Sequence, residues 1–416
     1  ECLAVHDKVL LDMLKKGRHS GSGITFHEPV IVSNPQGVGA TRAAAQLVAE
    51  GGGEGADSVV AEWNLPYGDY AGSVLIRHKD IAAGGDAPDG SYMKPFGLQT
   101  DGVIEELGEV MDSYILSERG KSLGQYSGAA MVAGVLILTG DAAETQIMNF
   151  NKGAAFQAAN NDGTGAGTTL GAGSIGFVVA VNYDDLTVTF STTQGGAAGT
   201  PLGWDTAGTN FLTRNADFQG TGGGAPTFII DSFADWIPST LLTETFKGVQ
   251  RGAGTDSRLS GARLTTAQAA GLSTEERIKK LVTKLNSTFG GKGEKLVVME
   301  SIQWQKLASI LEKRGQRPLD GKTANMGYSY IHLQTGRGSA KVISAPKCRP
   351  DTFWAFELDK FTLRTLSGFP EVMKSDGFQM LRKATSDSYE FRIVAFPHLS
   401  TPYPSRHGRG PVDVAA

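Results

Sequence analysis

A chain of 416 residues is long enough for two or three hydrophobic cores, so it is not one small module. Its 39 basic and 43 acidic residues leave a net charge of -4, which excludes the strongly basic footprint of a dedicated nucleic-acid binder and leaves room only for weak or local contact. Two distant cysteines, Cys2 and Cys348, give neither a disulfide framework nor a metal-ligand spacing, so a reducing compartment is the default; the longest apolar run, Met131 to Leu138, is far short of the roughly 20 residues that span a bilayer.

Within His6 to Lys16, Val9, Leu10, Met13 and Leu14 fall at helical spacing until Gly17 stops the pattern, which predicts a short amphipathic N-terminal helix. The segment before it lacks the basic and apolar parts of a signal peptide and starts at Glu1, which leaves open both a removed leader and a late start of numbering. From Gly21 to Gly97, β-like runs at Pro29 to Val32, Trp63 to Tyr70 and Ser73 to Arg77 alternate with breakers such as Gly51-Gly52-Gly53. This alternation predicts two extended ribbons joined by a flexible tip. Such an arm cannot bury itself on its own short helix, so it is expected to pack against another copy of the same chain.

The next segment places Val103, Ile104, Leu107, Val110, Met111, Tyr114 and Ile115 on one stripe, with Glu105, Glu106, Glu109 and Asp112 mainly on other faces. It predicts one amphipathic helix from about Asp101 to Leu123, ended by Gly120 and Gly124. At 1.5 Å per residue, about 22 residues make a rod of roughly 33 Å, suited to spanning a subunit. The chain has 55 glycines, well above the usual share of about 7%, and they should sit in turns, bulges and loops. Asn160 to Gly224 is rich in them, with β runs at Phe177 to Val181 and Leu186 to Thr193 around a Tyr183-Asp184-Asp185 turn, which predicts a small β insertion with mobile loops. Ser273 and Glu276 form a capping box ahead of Ile278, Leu281, Val282 and Leu285. A strand at Leu296 to Met299 and a helix from Ser301 to Arg314 complete an α-β-α unit, and β-like runs return at Lys341 to Ile343, Trp354 to Leu358 and Tyr389 to Phe396. The fold class is therefore α+β, without regular βαβ alternation.

No pattern in the chain carries catalysis. Gly171-Ala172-Gly173-Ser174-Ile175-Gly176 matches the dinucleotide-binding GxGxxG, but a strand follows it where that fingerprint needs a helix N-terminus. Gly321-Lys322-Thr323 resembles the end of a P-loop, yet Gly315 lies one residue too far upstream and Pro318 stiffens the loop, so a surface loop is expected. The histidines, at 6, 19, 27, 78, 332, 398 and 407, show no metal-ligand spacing and read as solvent-facing or ordinarily packed, and no serine is read as a catalytic nucleophile. Asn286-Ser287-Thr288 reads as a chance glycosylation sequon. Arg251, Arg258 and Arg263 either pair with acids across a subunit boundary or form a solvated charged loop. No catalytic, cofactor-binding or metal-binding residue is assigned, and no enzyme activity or cofactor is expected.

Ala61 to Tyr67, leading to Val74 to Ile81 and then to Asp101 to Leu123, resembles the extended loop and spine helix of the major capsid proteins of tailed bacteriophages, whose fold is shared with encapsulin shells. Phe233 to Pro238, Phe246 to Arg251 and Asp256 to Arg263 resemble the entry to the central axial domain in one group of these coats, and Ser301 to Leu307 the helix that follows. The resemblance implies an N-terminal arm at 1–28, an extended loop with peripheral-domain strands at 29–97 and a spine helix at 98–128. It further implies an axial domain at 129–345 carrying the β insertion at about 150–225, and a return to the peripheral domain at 346–416. Copies would assemble as pentamers and hexamers into an icosahedral shell around double-stranded DNA, forming a virion capsid assembled in the host cytoplasm, with portal, scaffold and cement proteins as further partners and no membrane. A mildly acidic chain suits such a container, because a strongly basic wall would hold phosphates tightly. Some members join subunits by a lysine-asparagine isopeptide bond; Lys79 and Lys94 lie in or near the loop, but nothing in the sequence marks either as reactive. Within the same fold, the alternative is an encapsulin-like compartment for a protein cargo, against which the β insertion and long loops argue. From a different class, the alternative is a nucleotide-dependent enzyme built on the two glycine motifs.

Overall fold

Strict alternation along the central strands sorts their side chains onto two cores. In the computed structural model, a six-stranded mixed sheet runs in the order Ala262–Arg263, Gly408–Pro411, Thr352–Phe356, Glu294–Met299, Ser339–Ser344, Tyr330–Gln334. Val297, Met299, Val342, Phe353 and Ala355 join Ile278, Leu281, Val282 and Leu285 of helix Thr274–Thr288 and Leu307 and Leu311 of helix Ser301–Lys313. Their sequence neighbours Val298, Ile343, Trp354 and Phe356 belong to the larger second core, as the two-residue period of a strand requires. Helix Thr274–Thr288 starts at the predicted capping box, where Ser273 and Glu276 cap each other. The structure describes residues 9–413 apart from 19–22, 39, 51–56, 80–94, 120, 141–142, 163–167, 215–216, 218–228, 242, 253–256, 292, 314–329, 374–379 and 384–385.

The long helix spans Pro95–Leu116 and packs on strand Tyr70–Arg77, where Gly72 admits the side chain of Val103 so closely that no β-carbon would fit. It stops short of Leu123 because the chain turns to bury a charge. Ser117 donates its amide and hydroxyl to the Tyr114 carbonyl, and Lys121 adopts a left-handed φ of 58° that directs its ammonium to Asp235. Two of the acids expected on outer faces are buried as well. Asp112 Oδ1 accepts from the Leu11 amide at 3.0 Å, and Lys347 covers Glu109, so this end of the helix is enclosed all round. The N-terminal helix among the described residues is Val9–Met13; Lys15–Arg18 is instead a strand, parallel to Thr362–Thr365.

The β insertion is larger and more regular than predicted. Gly124–Ser127, Thr209–Arg214, Ala155–Ala159, Ile175–Asn182, Thr187–Ser191 and Val135–Ile137 form an antiparallel six-stranded sheet in that order. A bridge between Tyr126 and Leu138, with the Thr139 amide donating to the Gln125 carbonyl, joins the outer strands and closes the sheet into a barrel. At this small size the interior is filled by side chains: Phe150, Phe156, Phe190 and Trp204 pack one against the next, tilted or edge-on, with centroids 4.7, 6.2 and 5.0 Å apart. The barrel thus takes in 124–138, ahead of the expected start near 150; its first strand overlaps the end of the segment expected to be spine helix at 98–128, and Val135–Ile137, within the apolar run Met131 to Leu138, is its closing strand. The tail 346–416 also divides, since Thr352–Phe356 and Gly408–Pro411 lie in the central sheet while Ser388–Ala395 pairs with Tyr70–Arg77 beside the long helix. The mixed α+β class stands.

Leu107 faces the core at 8% exposure, whereas Ile104 is only partly buried. Leu107→Asp is therefore expected to destabilise the subunit by about 3 kcal/mol or more and Ile104→Asp by less, read as a fall in the denaturant midpoint. Equal midpoints for wild type and Leu107→Asp would show that this face is not the buried one.

Candidate functional site

The ribbon between the two predicted β runs is a hairpin of Thr25–Ser33 and Val59–Pro66, paired antiparallel from Thr25 opposite Pro66 to Ser33 opposite Val59. At its root Trp63 and Leu65 are buried, and the Trp63 ring meets Trp236 and Phe246 edge-on at 5.4 and 5.9 Å. Farther out the apolar residues are largely open to solvent: Ile31 is 65% exposed and Val60 60%. Beyond them Val38 is 86% exposed, and helix Arg42–Glu50 has no buried residue, with Leu47 76% exposed. Sequence reasoning missed this tip helix, although Ala43 to Ala45 are strong helix formers and Thr41 Oγ1 caps the Ala44 amide at 3.2 Å. A lone hairpin and a nine-residue helix are each marginal in water, so this ribbon is built to be covered.

The root is held by buried charge. Asp235 accepts from Lys121 Nζ at 2.8 Å, from the Ser232 amide and hydroxyl, and has Arg119 at 3.6 Å. Burial alone would raise the Asp235 carboxyl, but Lys121 and Arg119 hold it below its ordinary value. Glu244 is likewise held low against burial, by Arg251 and Arg119. Arg251 is fully buried: it donates to Glu244 at 2.6 Å and to the Trp236 carbonyl, and stacks 3.8 Å over Phe246. For Arg251 this corrects both sequence readings, the pairing across a subunit boundary and the solvated loop. Arg251 is committed inside its own subunit, Arg258 reaches the Val32 carbonyl on the ribbon at 3.5 Å, and Arg263 donates to the Pro238 and Ser260 carbonyls. On the other side of the root, Arg364 stacks over Phe26 and lies 3.5 Å from Glu28, whose carboxyl burial raises.

The remaining sequence motifs do not come together. The GxGxxG segment is a tight turn, left-handed at Gly171, Ala172 and Gly173, that feeds strand Ile175–Asn182. The Gly321-Lys322-Thr323 loop, Cys2, His6, His19 and Lys94 lie outside the described residues, whereas Lys79 is exposed near the end of strand Tyr70–Arg77. Asn286 is buried and gives its amide to the Gly293 and Arg337 carbonyls, so the sequon is sterically closed. Among the described residues no cluster of three metal-ligating side chains occurs, and no helix is long and apolar enough to cross a membrane.

No protein-family profile and no curated protein sequence matches the chain. Its three-dimensional shape does match: against the capsid chain of cyanophage A-1(L) the TM-score is 0.53 at 9% identity, over 97% of this chain and 92% of that one. The chain has the phage capsid fold. Looser likenesses are to the capsid of the native GTA particle, with TM-score 0.42 and 8% identity over 99% and 92% of the two chains, and to the holo-SrpI encapsulin complex of Synechococcus elongatus PCC 7942, with TM-score 0.45 and 8% identity over 99% and 90%. On this capsid fold the described ribbon and its charged root form the candidate functional surface.

Two predictions test the root. Lys121→Met removes the shortest ion pair of the buried Asp235 carboxylate and leaves it Arg119 at 3.6 Å, and should cost about 3 kcal/mol of unfolding free energy; a loss below about 0.5 kcal/mol would show that the pair does not hold the root. Burial, with Lys247 and Arg364 nearby, holds the His398 ring well below 6.5, and burial with Lys295 and Arg406 does the same to His407. Below pH 6.5 the unfolded chain binds protons that these folded rings refuse, so stability falls on acidification, by up to about 1.4 kcal/mol per pH unit and ring. Asp231, 3.9 Å from His398, has its carboxyl raised by burial, a shift of the opposite sign for stability. Denaturant midpoints should drop progressively as the pH falls below about 6.5, and a flat profile would contradict the two buried neutral rings.

Proposed function

We propose that this chain is the major capsid protein of a tailed double-stranded DNA bacteriophage, assembling as pentamers and hexamers into an icosahedral shell. The observation that carries the reading is a capsid fold whose ribbon leaves Ile31, Val38, Leu47 and Val60 uncovered. Laid on a neighbouring copy, such a ribbon contributes roughly 25 cal/mol for each Å² of apolar surface it buries, and a closed lattice repeats that contact many times. The role is structural, and no catalytic step is assigned to it. Portal, scaffold and cement proteins are the further partners of such a shell, the genome is held by weak non-specific contact, and the subunit's place is the virion capsid, assembled in the host cytoplasm.

Light scattering and negative-stain electron microscopy of the expressed chain test this reading. Closed shells, empty or holding nucleic acid, support it, while shells that copurify with one host protein favour a cargo compartment. A stable monomer that binds a nucleotide would sink it. Val38→Asp with Leu47→Asp should leave the thermal midpoint of the subunit unchanged, since both side chains are exposed, and should abolish assembly. Shells forming at the wild-type rate would remove the ribbon from the lattice contacts.

A further inference from the structure

Between strand Ala262–Arg263, helix Thr274–Thr288 and the segment at Ser239 to Leu241 lies a cavity of about 580 Å³. Four charged side chains line it, and they are not balanced. Arg409 is neutralised by Glu118 at 2.7 Å, and Asp351 by Arg349 at 3.0 Å. Arg263 and Lys284 have no carboxylate among the described residues. Arg263 gives Nε and Nη2 to the Pro238 and Ser260 carbonyls at 3.2 and 2.9 Å, and Lys284 Nζ donates to the Arg263 carbonyl at 2.9 Å. Arg263 Nη1 has no acceptor among the described residues, so one arm of the guanidinium fork is available.

Placing two such cations side by side in a recess is costly, and the titration of both groups records the cost. Burial, together with Arg251 and Arg409, brings the Arg263 guanidinium down to about 10, and burial with Arg263 and Lys280 lowers the Lys284 ammonium. An anion between them would reverse the imbalance with charge-assisted hydrogen bonds.

We propose that this cavity is an oxyanion site, in which Arg263 and Lys284 hold one phosphate or carboxylate group. The recess, walled on its apolar side by Leu241, Leu264 and Pro411, suits a single compact group, and a duplex backbone is too broad to enter it. The group comes either from a free inorganic anion or from an acidic side chain of a second copy. The site stands on this geometry alone, and only the distinction between the two sources rests on the shell reading.

The test is calorimetric titration of the full-length chain with inorganic phosphate, against chloride at matched ionic strength. Phosphate should bind saturably, Lys284→Gln and Arg263→Gln should each weaken it by about tenfold or more, and Lys284→Arg should keep most of the affinity. Arg263 also ties two carbonyls, so Lys284→Gln is the decisive variant should Arg263→Gln fail to fold. Phosphate binding that persists in assembled particles identifies a free anion, and binding lost on assembly identifies a neighbour's carboxylate. Heat equal to that of chloride, or wild-type affinity in Lys284→Gln, would overturn the proposal.

Discussion

Neutralising one buried carboxylate organises the centre of this molecule. Asp235 lies where three parts of the chain meet: the exit of the long helix, which brings Arg119 and Lys121; its own short helix Phe233–Trp236, capped by Ser232; and the hairpin that brings Glu244 and Arg251. Removing any cation would leave a charge in a medium that cannot solvate it, so these segments are held together by the cost of separating them. The left-handed turn at Lys121 and the end of the helix at Leu116 follow from the same demand. Trp236, next in sequence, packs against Trp63 and donates its indole N–H to the Leu399 carbonyl, which carries the constraint into the root of the ribbon and the tail.

The ribbon then inverts the usual distribution. Charge is collected inside, around Asp235 and Arg251, while apolar side chains at Ile31, Val38, Leu47 and Val60 stand in water. In a protein meant to act alone this would be an aggregation liability. A rigid root with an adhesive, weakly self-stabilised tip is instead what a subunit needs if its final conformation is set by its neighbour.

Much of this was legible where a single period dominates. The stripe through Leu107, Met111, Tyr114 and Ile115 specifies the long helix, and Ser273 with Glu276 marks the start of the helix at Thr274–Thr288. The extended character of the ribbon was legible from Trp63 to Tyr70, although its tip helix was hidden by flanking glycines. What sequence could not show is long-range pairing. Nothing around Arg251 distinguishes a partner seven residues away at Glu244 from one on another subunit, and nothing in Gln125 or Leu138 announces that they lie side by side. Burial of Glu109 and Asp112 was likewise invisible, because the acids read as solvated until Leu11 and Lys347 are brought onto them.

The way the barrel is attached has its own consequence. The Leu123 amide donates to the Leu212 carbonyl, and Gly124 pairs with Leu212, so the chain enters and leaves through two adjoining strands. Everything between enters and leaves at that one stem, with side-chain ties such as Ser113 to Asn149 and Asn151 to Glu106 steadying it against the long helix. Such an arrangement makes the barrel a cassette: evolution or an engineer can replace roughly 90 residues at a single junction and alter what each copy displays, while the ribbon and its charged root keep their shape.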